Sequence, residues 1–246
     1  MAKAVLYQGK TGTGKSQSYL PCPELNIKGL NPKETFALQC AGTKELPVRG
    51  ADEMYKEKSK DNPIPNLLFT SEPEMLIAAI EKINANMPHI KNIIVDDAQL
   101  LFTLETMRRA EEKGYDKWNV IGKKGFSLYL WLLDNKSKLR DDLYVWIITH
   151  TDEYEMNTSG MMVIKTKTAG QMVDSMCSIE GLFTTILHGV KKRNKNTKEI
   201  EYFIKTKPEY EQDATKTPYG MFKEMFIKND LGYVREEMDK YYSNKQ

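Results

Sequence analysis

The chain has 246 residues, 40% hydrophobic and 28% charged, with 36 basic against 34 acidic side chains and a net charge of +2. These proportions exclude a disordered, collagen-like or disulfide-scaffold protein, and no apolar run approaches the roughly 18–20 residues of a membrane span. Cys22, Cys40 and Cys177 lie far apart without metal-ligand spacing and read as reduced thiols, while three histidines (His89, His150, His188) argue against a histidine-based metal cluster.

In chain order, the first element is the apolar run Ala4-Val5-Leu6-Tyr7. It begins almost at Met1, leaving no room for a secretion signal, so the expected location is the cytoplasm. Residues 9–16 follow as GKTGTGKS, the G-x-x-x-x-G-K-[ST] spacing of a phosphate loop, with a strand before and a helix start after. Glycine lets the backbone aim successive N–H groups at one anion, and the helix N-terminus adds partial positive charge. Gly9, Thr11, Gly12, Thr13, Gly14, Lys15, Ser16 and Gln17 are the expected cradle for ATP. Lys15 would reach the β- and γ-phosphates and act in catalysis, and the Ser16 hydroxyl would sit on Mg2+.

Pro21 and Pro23 stop the first helix early. Residues 35–40 read as a second strand, and 41–70 as a long irregular stretch broken by Gly42, Pro47, Gly50, Pro63 and Pro65. A helix starts near Pro73, with Leu76, Ile80 and Ile83 at helical spacing. Residues 92–99 are an Ile/Val-rich run ending in Asp96 and Asp97, the pattern of a strand buried on both faces. An acid at the carboxyl tip of such a strand lies where open α/β sheets bind ligands. Asp96 is the expected Mg2+-side acid. Asp97 would orient or deprotonate an attacking water, or cap the next helix.

A helix is expected from Leu100 to about Glu112, a turn from Gly114 to Gly125, and a helix over 126–139 with Phe126, Leu130 and Leu133 on one face. A strand over 143–149 delivers His150 to its tip, beside the acids, where it can sense the γ-phosphate. Residues 184–190 read as another strand, paired with 201–206 as a hairpin across 192–198, and a charged helix ends the chain. The alternation predicts an α/β three-layer sandwich with a mainly parallel central sheet and a late β-hairpin. One domain is expected over 1–246, its core at about 1–206 and an extension at about 207–246.

With these residues in view, the chain resembles the short, phage-encoded P-loop ATPases with a RecA-like core, the group that includes some phage single-strand annealing proteins. The resemblance spans most of the chain: residues 9–16, 93–99, 112–117, 139–143, 148–150, 164–166, 180–184 and 217–222. It implies ATP hydrolysis coupled to phage DNA recombination, annealing or repair, with single-stranded DNA as partner and self-association into a ring or filament. It also implies DNA contacts from the regions holding Arg108, Arg109, Lys123 and Lys124, and from Lys165 and Lys167 in a loop over 161–168, with Tyr115 and Trp118 as stacking partners. Lys216 is the candidate cation reaching a neighbour's ATP site. One departure stands out: recombinases of this type carry a catalytic glutamate just beyond the second strand, where this chain has Cys40, Ala41, Gly42, Thr43 and Lys44, with Glu45 only later.

Two other functions use the same loop. A nucleotide-kinase-type phosphotransferase would need an arginine-rich lid, and the arginines here are scattered. A nucleotide-gated assembly protein with little hydrolysis fits the missing glutamate.

Overall fold

The computed structural model describes residues 1–42, 44–155, 162–211 and 213–243. The first strand, β1 (Lys3–Gly9), is buried on both faces: Leu6 enters one apolar core while Val5 and Tyr7 enter the other. Its neighbours are β5 (Tyr144–Glu155) on one side and β7 (Thr185–Arg193) on the other, both parallel to it. Beyond β5 come β4 (Asn92–Asp96), β2 (Thr35–Gln39) and β3 (Leu67–Phe69), again parallel. Beyond β7 the sheet turns antiparallel with β8 (Ile200–Lys205) and β9 (Phe226–Lys228). The order β3-β2-β4-β5-β1-β7-β8-β9 makes a mainly parallel sheet, with β6 (Met162–Thr166) attached antiparallel to the outer half of β5.

Helices cover both faces. One core packs α3 (Pro73–Asn86), α4 (Leu100–Arg108) and α5 (Asp116–Asn135) against Leu6, Ile93, Val95, Val145 and Ile147. The other packs the segment after α1 (Lys15–Ser18), α2 (Ala51–Met54) and α7 (Leu231–Ser243) against Val5, Tyr7, Ile94 and Trp146. The short helix α6 (Gln171–Asp174) lies near α5. The three-layer α/β architecture expected from the alternating pattern is therefore present. No helix among the described residues is long and apolar enough to cross a membrane.

Several local expectations are corrected. The stretch from Gly114 to Gly125 is not a turn, because α5 begins at Asp116. Its glycines serve packing: a Cβ on Gly125 would lie 2.2 Å from Phe102 Cδ1, and one on Gly122 would lie 2.5 Å from Met176 Sδ. The buried face of α5 is Phe126, Tyr129 and Leu132, whereas Leu130 and Leu133 are exposed. The 41–70 stretch contains α2 and β3, and α4 ends at Arg108, short of Glu112. Finally, a paired strand, β6, occupies most of the expected 161–168 loop, consistent with the β-branched content of Val163, Ile164 and Thr166; Met161 lies outside the described residues.

Candidate nucleotide site

The parallel strands place the chemistry on one edge. β1 ends at the phosphate loop, β4 ends at Asp96, and β5, lying between them, carries His150 opposite Gly9. Gly9 has no room for a side chain, since a Cβ would meet the Gly189 carbonyl oxygen at 2.6 Å. Gly14 has φ 77, a left-handed conformation that side chains resist, and it starts α1. The Gly14 carbonyl accepts from Asn229 Nδ2 at 2.8 Å, and Asn229 Oδ1 accepts from the Tyr7 hydroxyl at 2.5 Å, so the loop is anchored from beneath.

The Lys15 ammonium turns back into its own loop, donating to the Gly9 and Lys10 carbonyls at 2.8 Å each. Burial pushes its pKa down to about 8, against the opposing pull of Asp96 and Asp97. The Ser16 hydroxyl donates to Asp96 Oδ1 at 3.1 Å, closing the distance between loop and acidic strand. The Asp96 carboxyl is fully enclosed, and burial together with the Asp97 charge pushes its pKa up to about 6.

Asp97 has φ 57, an uncommon left-handed conformation for a residue with a side chain. Its carboxylate does not cap α4. Instead it meets the Lys44 ammonium at 2.5 Å, the Gln99 amide at 3.1 Å and His150 Nε2 at 3.4 Å. Burial works to raise its pKa, but the His150, Lys44 and Gln99 contacts outweigh it and hold the group well below the usual carboxylate range. His150 Nδ1 lies 3.1 Å from the Thr11 hydroxyl. Because Nε2 faces a carboxylate, the consistent neutral tautomer carries its proton there and accepts from Thr11 at Nδ1. The His150 backbone N–H also donates to Gln99 Oε1 at 3.2 Å.

These groups line a cavity of about 300 Å3 running from Tyr202 on β8, past Gly12, Gly14, Lys15 and Ser16, to Lys44, Glu45, Leu46 and Pro47. Thr11, Thr13 and Gln17 line it as well, so the whole phosphate-loop set converges there with Asp96, Asp97 and His150. Gln39, Lys44, Gln99, Asn229 and Tyr202 are site residues that the sequence did not single out. Gln99 had a local signal, two residues past Asp97, and Lys44 ends the stretch that lacks the glutamate. Asn229 and Tyr202 had none, since they arrive from distant elements. A second cavity of about 610 Å3 adjoins the first, sharing Gln39, Lys44, Glu45, Leu46 and Pro47 and extending to Arg49, Tyr55 and Phe69.

The remaining candidates lie elsewhere. Arg108, Arg109 and Lys124 surround Glu105: Arg109 Nε is 2.6 Å and Lys124 Nζ 2.9 Å from its carboxylate, and Arg108 and Lys124 also pair with Glu72. Lys123 is exposed on α5, Trp118 is half-buried against the core, and Tyr115 is 78% exposed. Lys165 lies on β6 and is exposed, and Lys167 pairs with Asp152 at 3.2 Å. Lys216 is exposed, its backbone bridged to Ile186 on β7. Among the described residues no group of three or more His, Cys, Asp or Glu side chains is arranged to hold a metal ion by itself.

No protein-family model matches this chain, and no curated protein is similar to it. Among solved structures it is similar to a KaiC-like protein of the hyperthermophilic archaeon Pyrococcus horikoshii OT3, with a TM-score of 0.43 and 13% identity over 82% of this chain and 77% of the other. That likeness concerns the course of the backbone alone.

Proposed function

We propose that the chain is an ATP-binding protein that hydrolyses ATP with Mg2+. The observation carrying this reading is the 3.1 Å bond from Ser16 Oγ to Asp96 Oδ1, which joins phosphate loop and acidic strand across the intervening β5. A loop in which Gly9 and Gly14 leave no space for side chains, a lysine held ready on its carbonyls and a hydroxyl–carboxylate pair form a donor set suited to a triphosphate and a hard divalent cation. Mg2+ usually takes few protein ligands and fills its shell with phosphate oxygens and water, so Ser16 and Asp96 suffice to hold it. When bound, the ion would neutralise charge on the β- and γ-phosphates.

The chain's own groups supply the rest. Lys15 exchanges loop carbonyls for phosphate oxygens, and the loop N–H groups hold the remainder of the anion. Asp97, held ionised by three partners, is a weak base, so it orients a water rather than taking its proton outright. His150 ties that carboxylate to Thr11 and links the state of the loop to the acid. With no glutamate directly after β2, where Cys40 to Lys44 stand and Glu45 comes only later, turnover is slow.

With the sequence resemblance, the reading extends to an ATPase of phage DNA metabolism that self-associates and holds single-stranded DNA, with Lys216 reaching a neighbour's site. The test is phosphate release with Mg2+ATP for the wild type, Ser16→Ala and Asp97→Asn, beside electron microscopy with a non-hydrolysable ATP analogue, with and without single-stranded DNA. Turnover unchanged in both variants defeats the hydrolytic reading, and absence of analogue binding defeats it altogether.

The adjoining 610 Å3 cavity favours a second reading, phosphoryl transfer to a small acceptor seated beyond Lys44. Labelled phosphate appearing on a nucleoside monophosphate rather than in solution would identify it.

A further inference from the structure

We infer that the β7–β8 hairpin is the surface that holds a single-stranded nucleic acid, with the strand lying along the hairpin face that opens into the nucleotide cavity. This rests on the nucleotide-site reading above only for the coupling between the two ligands.

Charge is the first argument. Residues 190–201 hold five basic side chains (Lys191, Lys192, Arg193, Lys195, Lys198) against Glu199 and Glu201, a net +3 where the whole chain is only +2. The rest of the molecule is therefore net acidic, and a polyanion is steered to this arm. The five cations from Lys191 to Lys198 are exposed, and among the described residues none forms an ion pair. The contrast with Arg108, Arg109, Lys124 and Lys167, all tied to carboxylates, is direct.

Geometry is the second. Directly opposite residues of an antiparallel pair share a face. Lys191 stands opposite Tyr202 and Arg193 opposite Ile200, so one face presents two cations beside two apolar side chains, 40% and 49% exposed respectively. Lys192 falls on the other face, its ammonium over the Phe226 ring. Cations two residues apart on a strand are about 6.6 Å apart, a repeat comparable to the phosphates of an extended single strand. Exposed ring and aliphatic surface beside them suits unpaired bases.

Position is the third. A Cβ on Gly12 would lie 3.8 Å from the Lys191 ammonium, so this face overhangs the phosphate loop. β7 pairs with β1 up to Gly9 and Gly189 and with β8 from His188 onward, so His188 and Gly189 belong to both pairings and a shift in the loop is carried into the hairpin. The tip is ordered by its own bonds, Arg193 Nε to the Lys198 carbonyl at 3.0 Å and Asn194 Nδ2 to Glu201 at 2.8 Å.

The experiment measures fluorescence anisotropy of a labelled mixed-sequence single-stranded oligonucleotide across a salt series. The full chain is compared with the triple variant Arg193→Gln, Lys195→Gln, Lys198→Gln, with Lys195→Glu alone in case the triple change disturbs the tip, and with the double variant Lys165→Gln, Lys167→Gln. ATP-analogue binding is measured in parallel on each. The expected result is that the triple variant loses about 2 from the slope of log K against log salt, because three phosphates are no longer neutralised. Its affinity falls at least tenfold, Lys195→Glu weakens binding in the same direction, the double variant binds as wild type, and analogue binding is unchanged. Wild-type affinity in the triple variant and in Lys195→Glu overturns the inference. So does an oligonucleotide that fails to bind wild-type protein still able to bind the analogue, an outcome that leaves the nucleotide reading standing. Preference for anionic phosphatidylserine vesicles over the oligonucleotide also overturns it, in favour of a membrane surface. Loss of analogue binding by the wild type with oligonucleotide binding intact sinks the nucleotide reading instead.

Discussion

The Lys44 ammonium lies 2.5 Å from Asp97 Oδ2, pinning the acid at the tip of the isoleucine-rich strand from a loop more than fifty residues earlier in the chain. A cation therefore stands where the sequence resemblance leads one to expect a carboxylate. It holds Asp97 ionised and faces the cavity beside Lys15.

Under the proposed ATP hydrolysis, Lys44 is placed to meet charge developing on the terminal phosphate. Replacing it by methionine should lower turnover by on the order of 10²-fold while changing ATP affinity much less, as removal of a preorganised donor does elsewhere. Steady-state phosphate release and equilibrium titration separate the two effects. Wild-type turnover in Lys44→Met would remove Lys44 from the mechanism.

In the proposed function Lys15 contributes to binding before chemistry. Its ammonium makes two bonds to loop carbonyls, so Lys15→Ala removes a charged donor without opening the core. ATP affinity should fall by about 1.5–3 kcal/mol, roughly 10- to 150-fold. Calorimetric titration reads the change, and thermal melting checks that the fold persists.

Lys205 and Asp213 form a buried pair at 2.5 Å, their side chains 4% and 2% exposed. Burial works to raise the Asp213 pKa, but bonds from Lys205 and Thr215 outweigh it and leave it lowered. A lowered carboxylate stabilises the fold fully above its unfolded value of about 3.9. That contribution disappears as pH falls through the folded value. Asp213→Asn should cost about 3 kcal/mol near neutral pH, the low end for a stranded buried charge, since Glu209 stands 3.8 Å from the same ammonium. The gap between wild type and variant should narrow in denaturation curves taken toward pH 3; a gap that widens contradicts the assignment.

Gly125 tests the packing account of α5. Alanine would improve helix propensity by about 1 kcal/mol, but its Cβ would meet the Phe102 ring at 2.2 Å. Overpacking costs about 1–3 kcal/mol, so Gly125→Ala should destabilise despite the propensity gain. Adding Phe102→Leu should recover part of the loss. Urea denaturation of the two single variants and the double variant checks both signs.

What the sequence by itself determined are the features whose physics is local. The glycine turn of residues 9–16 and the β-branched run ending at Asp96 carry their conformations within a few residues, and their order implies a parallel sheet with both at its carboxyl edge. His150 was legible in position, beside the acids, but it is not the tip of its strand: β5 runs on to Glu155, and His150 marks where its parallel pairing with β1 stops. Tertiary structure decided the rest. Gly122 and Gly125 look like turn residues because the sequence does not display Met176 and Phe102, the side chains that require them to be small. Arg108, Arg109 and Lys124 look free because Glu72 and Glu105 meet them only after α3, α4 and α5 pack. Lys44, Tyr202 and Asn229 come to the loop from different edges of the sheet. Pairing, close approach and charge neutralisation are properties of distance in space, and separation along the chain does not record them.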